Sequence, residues 1–396
     1  MATPTGTRAP RLTAARREEE RVTPLELFFD LVFVLALTQC TALMAQTPTW
    51  EGLAQGMLVL GVLWWSWVGY AWLTSVVDPE EGAVRIVIFA AMAAFLIAAI
   101  CVPEAFGELA LEFAIAYAAV RWAQIALFLL ASRDDAALRR SIWGLAVSTA
   151  IAVGLLVAAS FLDGAAQGGV WCLALGLDMA GPYLFGSEGW TLMPAHFAER
   201  HGLIIIIALG ESIVAIGAGA AGVLTAGIAA AAVVGIALAA AMWWMYFDVV
   251  ALVSARRLSR AAVGREQNEL ARDSYSYMHF PMVAGIVLVA LGMKKTIGHV
   301  EDPLEVETAF ALLGGLAFYL LGLVGFRWRH VHTVNRQRLA LAVALFALLP
   351  LAAEVDSLVL VGLITAAVWA MVIYETRSYG EGRARIRHGD AAPEAR

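Results

Sequence analysis

The chain has 396 residues, of which 61% are hydrophobic and only 15% are charged, with a mean hydropathy of +0.75 and a formal net charge of −6. A soluble globular protein carries about 25% charged residues, so this composition excludes the soluble class. Apolar runs of about 18 residues or more recur along the chain, and such runs cross lipid as helices. The fold class predicted is therefore an all-α polytopic membrane protein.

Polar segments flank the apolar region. Residues 1–20 predict a polar cytoplasmic tail with a short amphipathic helix at 11–21, and residues 376–396 predict a disordered charged cytoplasmic tail. The segment before the first apolar run is polar, and that run is long enough to span, so no cleavable signal peptide is predicted. Between the tails the apolar periodicity predicts twelve membrane-spanning helices, at 25–45, 52–77, 83–102, 107–131, 141–162, 167–185, 202–221, 224–253, 273–296, 304–326, 338–352 and 356–375.

The distribution of basic residues agrees with twelve spans. If the N-terminus is cytoplasmic, all but three of the 27 basic residues fall in cytoplasmic segments; the exceptions are Arg121, Lys294 and Lys295. The outer loops carry mostly acids. Because basic residues are concentrated in cytoplasmic loops, this pattern predicts a multi-pass protein of the bacterial cytoplasmic membrane with both termini inside.

Two markers predict an internal duplication. Glu20-Arg21 precedes the first span and Glu199-Arg200 precedes the seventh, while Trp64-Trp65 and Trp243-Trp244 lie one span later at the same sequence offset. Equal offsets are the signature of a repeat. The sequence therefore predicts two six-helix repeats, at 21–185 and 200–375, in parallel orientation because six is an even number.

Two long motifs carry a family resemblance. The first is Arg21-Val-Thr-Pro-Leu-Glu26-Leu-Phe-Phe-Asp30-Leu-Val-Phe-Val, and the second runs from His196-Phe-Ala-Glu199-Arg200-His-Gly through Gly210-Glu211-Ser-Ile. Both resemble the signature of the bacterial low temperature requirement protein A (LtrA) family. The resemblance implies a multi-pass membrane protein linked by name to growth at low temperature. Structural roles are predicted for Arg21, Glu26, Glu199, Arg200 and Gly210.

Ionisable side chains inside the predicted spans are the candidates for substrate or ion binding, because such groups are costly in lipid and rarely kept without a role. They lie roughly 8 to 15 Å from the cytoplasmic ends of their spans, at about 1.5 Å per residue. This common side predicts a polar cavity that opens to the cytoplasm between the two halves. The six candidates are Asp30, Arg121, Asp178, Glu211, Asp248 and His279.

Most candidates also have a structural interpretation. Thr23, Pro24 and Glu26 fit a helix-capping box, and Asp30, one turn deeper, fits either function or a buried ion pair. His279 is interpreted first as a satisfied polar residue, and only second as a proton carrier. Arg121 cannot lose its proton, so it needs water or a carboxylate.

The carboxylates predicted as partners for Arg121 are those of Asp30, Asp178 and Glu211. A salt bridge is the first interpretation of Arg121 and anion binding the second. Glu211 is the strongest single functional candidate, because it follows Gly210 near mid-membrane, where small residues allow close helix approach.

No enzyme or cofactor motif stands out. The sequence shows no GxSxG, HExxH, Walker loop or GxGxxG in a suitable context, and its three cysteines lie in apolar runs without metal-ligand spacing. No metal, cofactor or nucleic-acid partner is predicted. The lipid bilayer is the expected partner, together with a small-molecule or ionic substrate.

Three functions remain open at this point. The parallel repeat and the one-sided polar cluster favour a transporter or permeation pathway. A membrane enzyme acting on a lipid-linked substrate could use Asp30 and Glu211 as acid and base, with Arg121 on an anionic head group. In a non-catalytic stress-adaptation factor, the polar cluster would be purely structural.

Overall fold

The computed structural model describes residues 21–80, 82–185, 189–220, 222–352 and 354–388. The amphipathic helix predicted at 11–21 lies outside these residues, except for Arg21, which forms a bend before the first helix. The described chain is helical, and its β-type pairing is limited to an isolated bridge between Pro303 and Asp356. This agrees with the predicted all-α class.

In the described chain, seven α-helices lie between Pro24 and Gly219, and most of the seventh belongs to the second half. A single 3-10 turn, Val102–Glu104, follows the third of them. These helices are α1 (Pro24–Gln46), α2 (Trp50–Val76), α3 (Gly82–Cys101), α4 (Ala110–Ala131), α5 (Ala136–Ala159), α6 (Gly164–Leu184) and α7 (Pro194–Gly219).

The second half continues in the same way with shorter pieces. Between α10 and α11 the chain forms a π-helix, Ala271–Tyr277. The α-helices are α8 (Ala226–Phe247), α9 (Val250–Arg260), α10 (Arg265–Leu270), α11 (His279–Gly298), α12 (Val306–Val331), α13 (Arg336–Ala347), α14 (Leu349–Ala352), α15 (Ser357–Ser378) and α16 (Gly380–His388).

Within the described residues, ten helical segments are long and apolar enough to cross a membrane. The segments predicted at 167–185 and 338–352 are helical but are not among the ten. Helix α6 is long enough, but its glycines, Gln167 and Asp178 lower its hydropathy. Helix α13 has only 12 residues and ends at Ala347, three residues before Pro350.

The chain divides into two compact units. The first contains the described residues up to Phe33 together with Trp65–Phe197, and the second contains Val34–Trp64 together with the described residues from Ala198 onward. The division passes through α1 and α2, so residues 34–64 belong to the unit that holds most of the second half. The repeat boundaries predicted at 21–185 and 200–375 stay a prediction.

In the first unit, α4 packs against α3 and α5, and α5 packs against α6. Gly69 of α2 makes room for a polar side chain here. A Cβ atom at Gly69 would collide with the amide of Gln124 in α4. The glycine therefore allows a buried amide to lie directly against the α2 backbone.

In the second unit, α11 and α12 form the closest helix pair. A Cβ atom added at Gly315 would lie 2.8 Å from the Gly285 carbonyl oxygen, and one at Gly292 would lie 2.7 Å from Leu312 Cβ. Small residues let helix backbones approach in this way. Both helices are buried along most of their length.

The charged C-terminal segment is partly ordered. Residues from Gly380 to His388 form α16, whereas the sequence predicted disorder throughout 376–396. This helix contacts α9 and α15. Its residues Arg383 and Arg387 contact Asp248 of the second unit.

Candidate functional site

Arg121 and Asp178 form a buried ion pair in the first unit. Arg121 Nη2 lies 3.0 Å from Asp178 Oδ1, and both side chains are almost fully buried. Arg121 also donates to Gln124 Oε1 at 2.9 Å and to Thr149 Oγ1 at 2.8 Å. The sequence predicted a carboxylate partner for Arg121, and the structure identifies it as Asp178.

This ion pair belongs to a wider polar cluster on α4, α5 and α6. The Tyr117 hydroxyl donates to Asp178 Oδ2 at 3.3 Å, and the Thr149 hydroxyl lies 3.4 Å from Asp178 Oδ1. Both carboxylate oxygens and both terminal guanidinium nitrogens are therefore engaged. A buried pair with this many hydrogen bonds ties three helices together.

The first motif contains a second buried polar group. Thr23 and Glu26 make the predicted capping box, because the Thr23 amide donates to Glu26 Oε2 at 2.8 Å and the Glu26 amide donates to Thr23 Oγ1 at 3.4 Å. Glu26 Oε1 also lies 2.8 Å from His196 Nε2. Asp30 accepts a hydrogen bond from Trp67 Nε1 at 2.8 Å. His196 and Trp67 were not among the predicted site residues, although both lie in or near the quoted motifs.

Glu211 has a different environment in the second unit. It is 1% exposed. The Thr41 hydroxyl lies beside its carboxylate but donates to the Leu37 carbonyl oxygen at 3.2 Å, and the Lys294 ammonium acts on the carboxylate electrostatically. Its Oε2 atom has no hydrogen-bond partner in the described part of the chain. Glu211 thus combines deep burial with an incompletely satisfied carboxylate.

A pocket of about 340 Å³ lies at the C-terminal ends of α1, α7 and α11. Its polar lining comes from Gln46, Lys294, Lys295 and His299, and the rest is alanine and glycine. Lys294 is therefore common to the pocket and to the electrostatic environment of Glu211. At about 1.5 Å per residue, Glu211 lies about 12 Å along α7 from the end of that helix.

Gly210 does not pack as predicted. A Cβ atom there would meet nothing within 4 Å, so a close helix approach does not explain this glycine. Gly219 does meet a neighbour, since its Cβ atom would lie 2.8 Å from the Lys294 carbonyl oxygen. The close contact between α7 and α11 therefore occurs at the pocket.

Asp248 belongs to a charge network at the end of α8. Arg383 Nη2 and Arg387 Nη2 of α16 each lie 2.5 Å from one of its carboxylate oxygens. Nearby, Arg338 makes two hydrogen bonds to Glu375, at 3.0 and 2.9 Å. These contacts indicate that Asp248 anchors the C-terminal helix.

His279 lies in a buried aromatic cluster around the π-helix. Its Nδ1 lies 3.2 Å from the Ser274 carbonyl oxygen, so Nδ1 carries the proton, and the Tyr246 hydroxyl donates to Nε2 at 2.8 Å. The rings of His201 and Tyr275 lie 5.1 and 5.2 Å away. The interpretation of His279 as a satisfied polar residue agrees with these contacts.

The candidate residues have different surroundings within each unit. Arg121 and Asp178 are in direct contact, whereas Glu211, Asp248 and His279 occupy separate surroundings within the second unit. The paired motif arginines also differ, since Arg21 is exposed before α1 and Arg200 is buried inside α7. In the described residues, no group of three or more His, Cys, Asp or Glu side chains could hold a metal ion.

The helices and their buried ion pairs define the class of protein, which is a membrane protein built from many apolar helices. The profile of the family described as bacterial low temperature requirement A protein (LtrA) matches residues 21–373. The chain therefore belongs to the LtrA family, and the resemblance carried by the two motifs is confirmed.

One relative gives further support to the family assignment. An uncharacterised protein of Rhizobium meliloti (strain 1021) is 29% identical over 368 residues, which cover 88% of each chain. No solved structure matches the chain.

Proposed function

We propose that the protein is a transporter or permeation pathway in which the carboxylate of Glu211 binds a proton or another cation. The observation that supports this most is the Oε2 atom, which has no hydrogen-bond partner among the described residues although the Glu211 side chain is only 1% exposed. A charge buried in an apolar environment costs several kcal/mol unless it is paired or neutralised. A proton or cation that binds reversibly would neutralise Glu211.

A comparison with Asp178 supports Glu211 as the carboxylate that binds a cation reversibly. Arg121 neutralises Asp178 permanently, and an arginine does not release its charge. The cation that acts on Glu211 is Lys294, which is half-buried and also lines an accessible pocket, unlike the buried Arg121. Among the buried acids, Glu211 therefore combines low solvent exposure with a nearby route to solvent.

We further propose the topology that the charge pattern predicts. The twelve predicted spans with both termini in the cytoplasm would include α6 and the α13–α14 segment as short or polar spans inside the protein. Reporter fusions after Arg140, Arg260 and Arg336 should then be cytoplasmic, and fusions near Asp163 and Asp302 should be external. Reversal at two of these sites would contradict the topology.

The six-plus-six repeat is part of the same proposal. Its support is the equal spacing of the motif and tryptophan markers, and an experimental structure would test it by superposing 21–185 on 200–375. The axis should lie along the membrane normal, with Trp64 near Trp243. An inverted axis, or no superposition, would show that the equal spacing is accidental.

Flux measurements in liposomes test the role of Glu211. The full chain is reconstituted with a trapped pH-sensitive dye, and proton, sodium and potassium gradients are imposed one at a time. We expect flux with the unchanged protein, and a loss of about tenfold or more in Glu211→Gln, which keeps the shape but removes the charge.

A matched substitution provides the control. Glu112→Gln makes the same chemical change at an exposed acid in the first turn of α4, and it should leave flux unchanged. Yield and elution on size exclusion should be equal for all three proteins. If Glu211→Gln instead conducts normally, Glu211 is not the binding site. If the variant gives less folded protein, Glu211 stabilises the fold.

A further inference from the structure

The geometry points to a small anion, with a carboxylate or phosphate group, as the ligand of the pocket formed by Gln46, Lys294, Lys295 and His299. We propose that Lys294 couples the binding of this anion to the binding of a proton by Glu211. This inference rests on the proposed function and deepens it, because it assigns a substrate class and a coupling ion to the same pathway.

The first argument is the position of the lysines. Lys294 and Lys295 are the two lysines of the chain, and both line the pocket. The charge pattern places this end of α11 outside, where basic residues are disfavoured. Two ammonium groups beside a pocket at that end supply a site for a negatively charged ligand.

The second argument is the charge balance at the pocket. Three helices end there, and each C-terminus contributes up to about half a negative charge, together about one and a half. The two positive charges of the lysine ammonium groups exceed this negative charge. A charged Glu211 nearby would add one more negative charge, and the negative total would then exceed the positive one. The pocket therefore attracts an anion best when Glu211 holds a proton.

The third argument is that Lys294 is shared. It acts electrostatically on Glu211 and also lines the pocket. A lysine ammonium is a compact charge with three donors on a flexible stem, so it can turn from the carboxylate to a bound anion. Once Lys294 turns away, its electrostatic attraction to the Glu211 carboxylate weakens, and Glu211 binds a proton in compensation.

Thermodynamic linkage then fixes the sign of the coupling. If a proton on Glu211 strengthens anion binding, the bound anion must strengthen proton binding by the same factor. Anion affinity should consequently rise as the pH falls. Lys295 and His299 also line the pocket, and His299 Nδ1 lies 3.7 Å from Asp302 Oδ2. Cys40 and Thr41 lie beside Glu211.

Calorimetry on the purified full chain in detergent tests the proposal. Sodium succinate and sodium phosphate are the probes, and sodium chloride at equal ionic strength is the control. Titrations at acidic and alkaline pH, each in two buffers with different ionisation heats, measure affinity and proton uptake together. We expect at least one probe to bind about tenfold more tightly at acidic pH, with proton uptake.

Four variants assign the effect to residues. Lys294→Gln should weaken binding about tenfold, and Lys294→Arg, which keeps the charge, should largely retain it. Glu211→Gln should bind the anion with no proton uptake and little pH dependence. His299→Gln removes the other titratable group that lines the pocket. Its anion binding, at whatever affinity, should still be accompanied by proton uptake, which assigns the uptake to Glu211.

Several outcomes would overturn the inference. They are the absence of binding by both probes, unchanged binding in Lys294→Gln, proton uptake that persists in Glu211→Gln, and proton uptake that disappears in His299→Gln. Should Lys294→Gln not fold, the comparison of Glu211→Gln with His299→Gln still decides. If Glu211→Gln loses flux but the unchanged protein binds neither anion, only this inference is refuted. If the unchanged protein binds an anion together with a proton but shows no flux in liposomes, only the proposed function is refuted.

Discussion

The two units treat a buried acid in opposite ways. In the first unit, Asp178 is held by Arg121, Tyr117 and Thr149, so its charge is balanced by fixed partners. In the second, Glu211 has one oxygen without a hydrogen bond among the described residues, and the lysine that acts on it, Lys294, also lines a pocket. The comparison shows that burial alone does not identify function. A fully paired acid stabilises helix packing, and an incompletely paired one is available for reversible binding.

The strongest way to break this comparison is to remove the cation of the paired site. Arg121→Met should leave the charge of Asp178 uncompensated, at a cost of about 3–5 kcal/mol, and should abolish most folded protein. The double variant Arg121→Met with Asp178→Leu should recover much of the yield, because neither charge then remains. Size-exclusion elution and yield measure both. Normal yield in the single variant would show that the ion pair does not stabilise the unit.

The charge network of α16 should give a smaller effect. Arg383→Gln removes a charge-assisted contact to Asp248, which is worth about 2 kcal/mol. Thermal unfolding followed by tryptophan fluorescence should show a lower midpoint. Arg377→Gln, at an exposed arginine on α15, is the control and should unfold like the unchanged protein. An equal midpoint in both variants would mean that α16 does not stabilise the second unit.

The π-helix provides a third and weaker test. Trp64 Nε1 donates to the Ser276 carbonyl at 3.0 Å in the buried part of the second unit. Trp64→Phe should therefore lower the free energy of unfolding by about 1 kcal/mol. The corresponding tryptophan of the predicted repeat, Trp243, is 45% exposed. Trp243→Phe should therefore lower the free energy of unfolding by less. Equal losses would contradict the different roles assigned to the two markers.

The smallest change in stability is expected at the functional candidate itself. Glu211→Gln removes a charge without breaking a fixed ion pair, so its unfolding midpoint should be unchanged or slightly higher, within about 0.5 kcal/mol. The same thermal measurement, compared with Arg121→Met, shows whether the two acids differ as described. A large loss of stability in Glu211→Gln would place Glu211 with Asp178 among the structural acids.

The sequence by itself determined the class, the family and the position of most helices. Lipid forces backbone groups to pair within a segment, so long apolar runs are enough to locate helices such as α1, α3 and α12. Local motifs were equally readable, since the Thr23–Glu26 capping box needs only residues three positions apart. The predicted need of Arg121 for a carboxylate followed from its permanent charge.

The tertiary structure decided everything that depends on which helices meet. It selected Asp178 as the partner of Arg121, matched Glu26 with His196, and ordered α16 through Asp248, because these contacts join residues far apart in the chain. Hydropathy could not reveal that Lys294 both lines a pocket and acts electrostatically on Glu211, since that arrangement requires α1, α7 and α11 to converge. Periodicity reports which residues avoid water, and packing alone determines which buried charges find a partner.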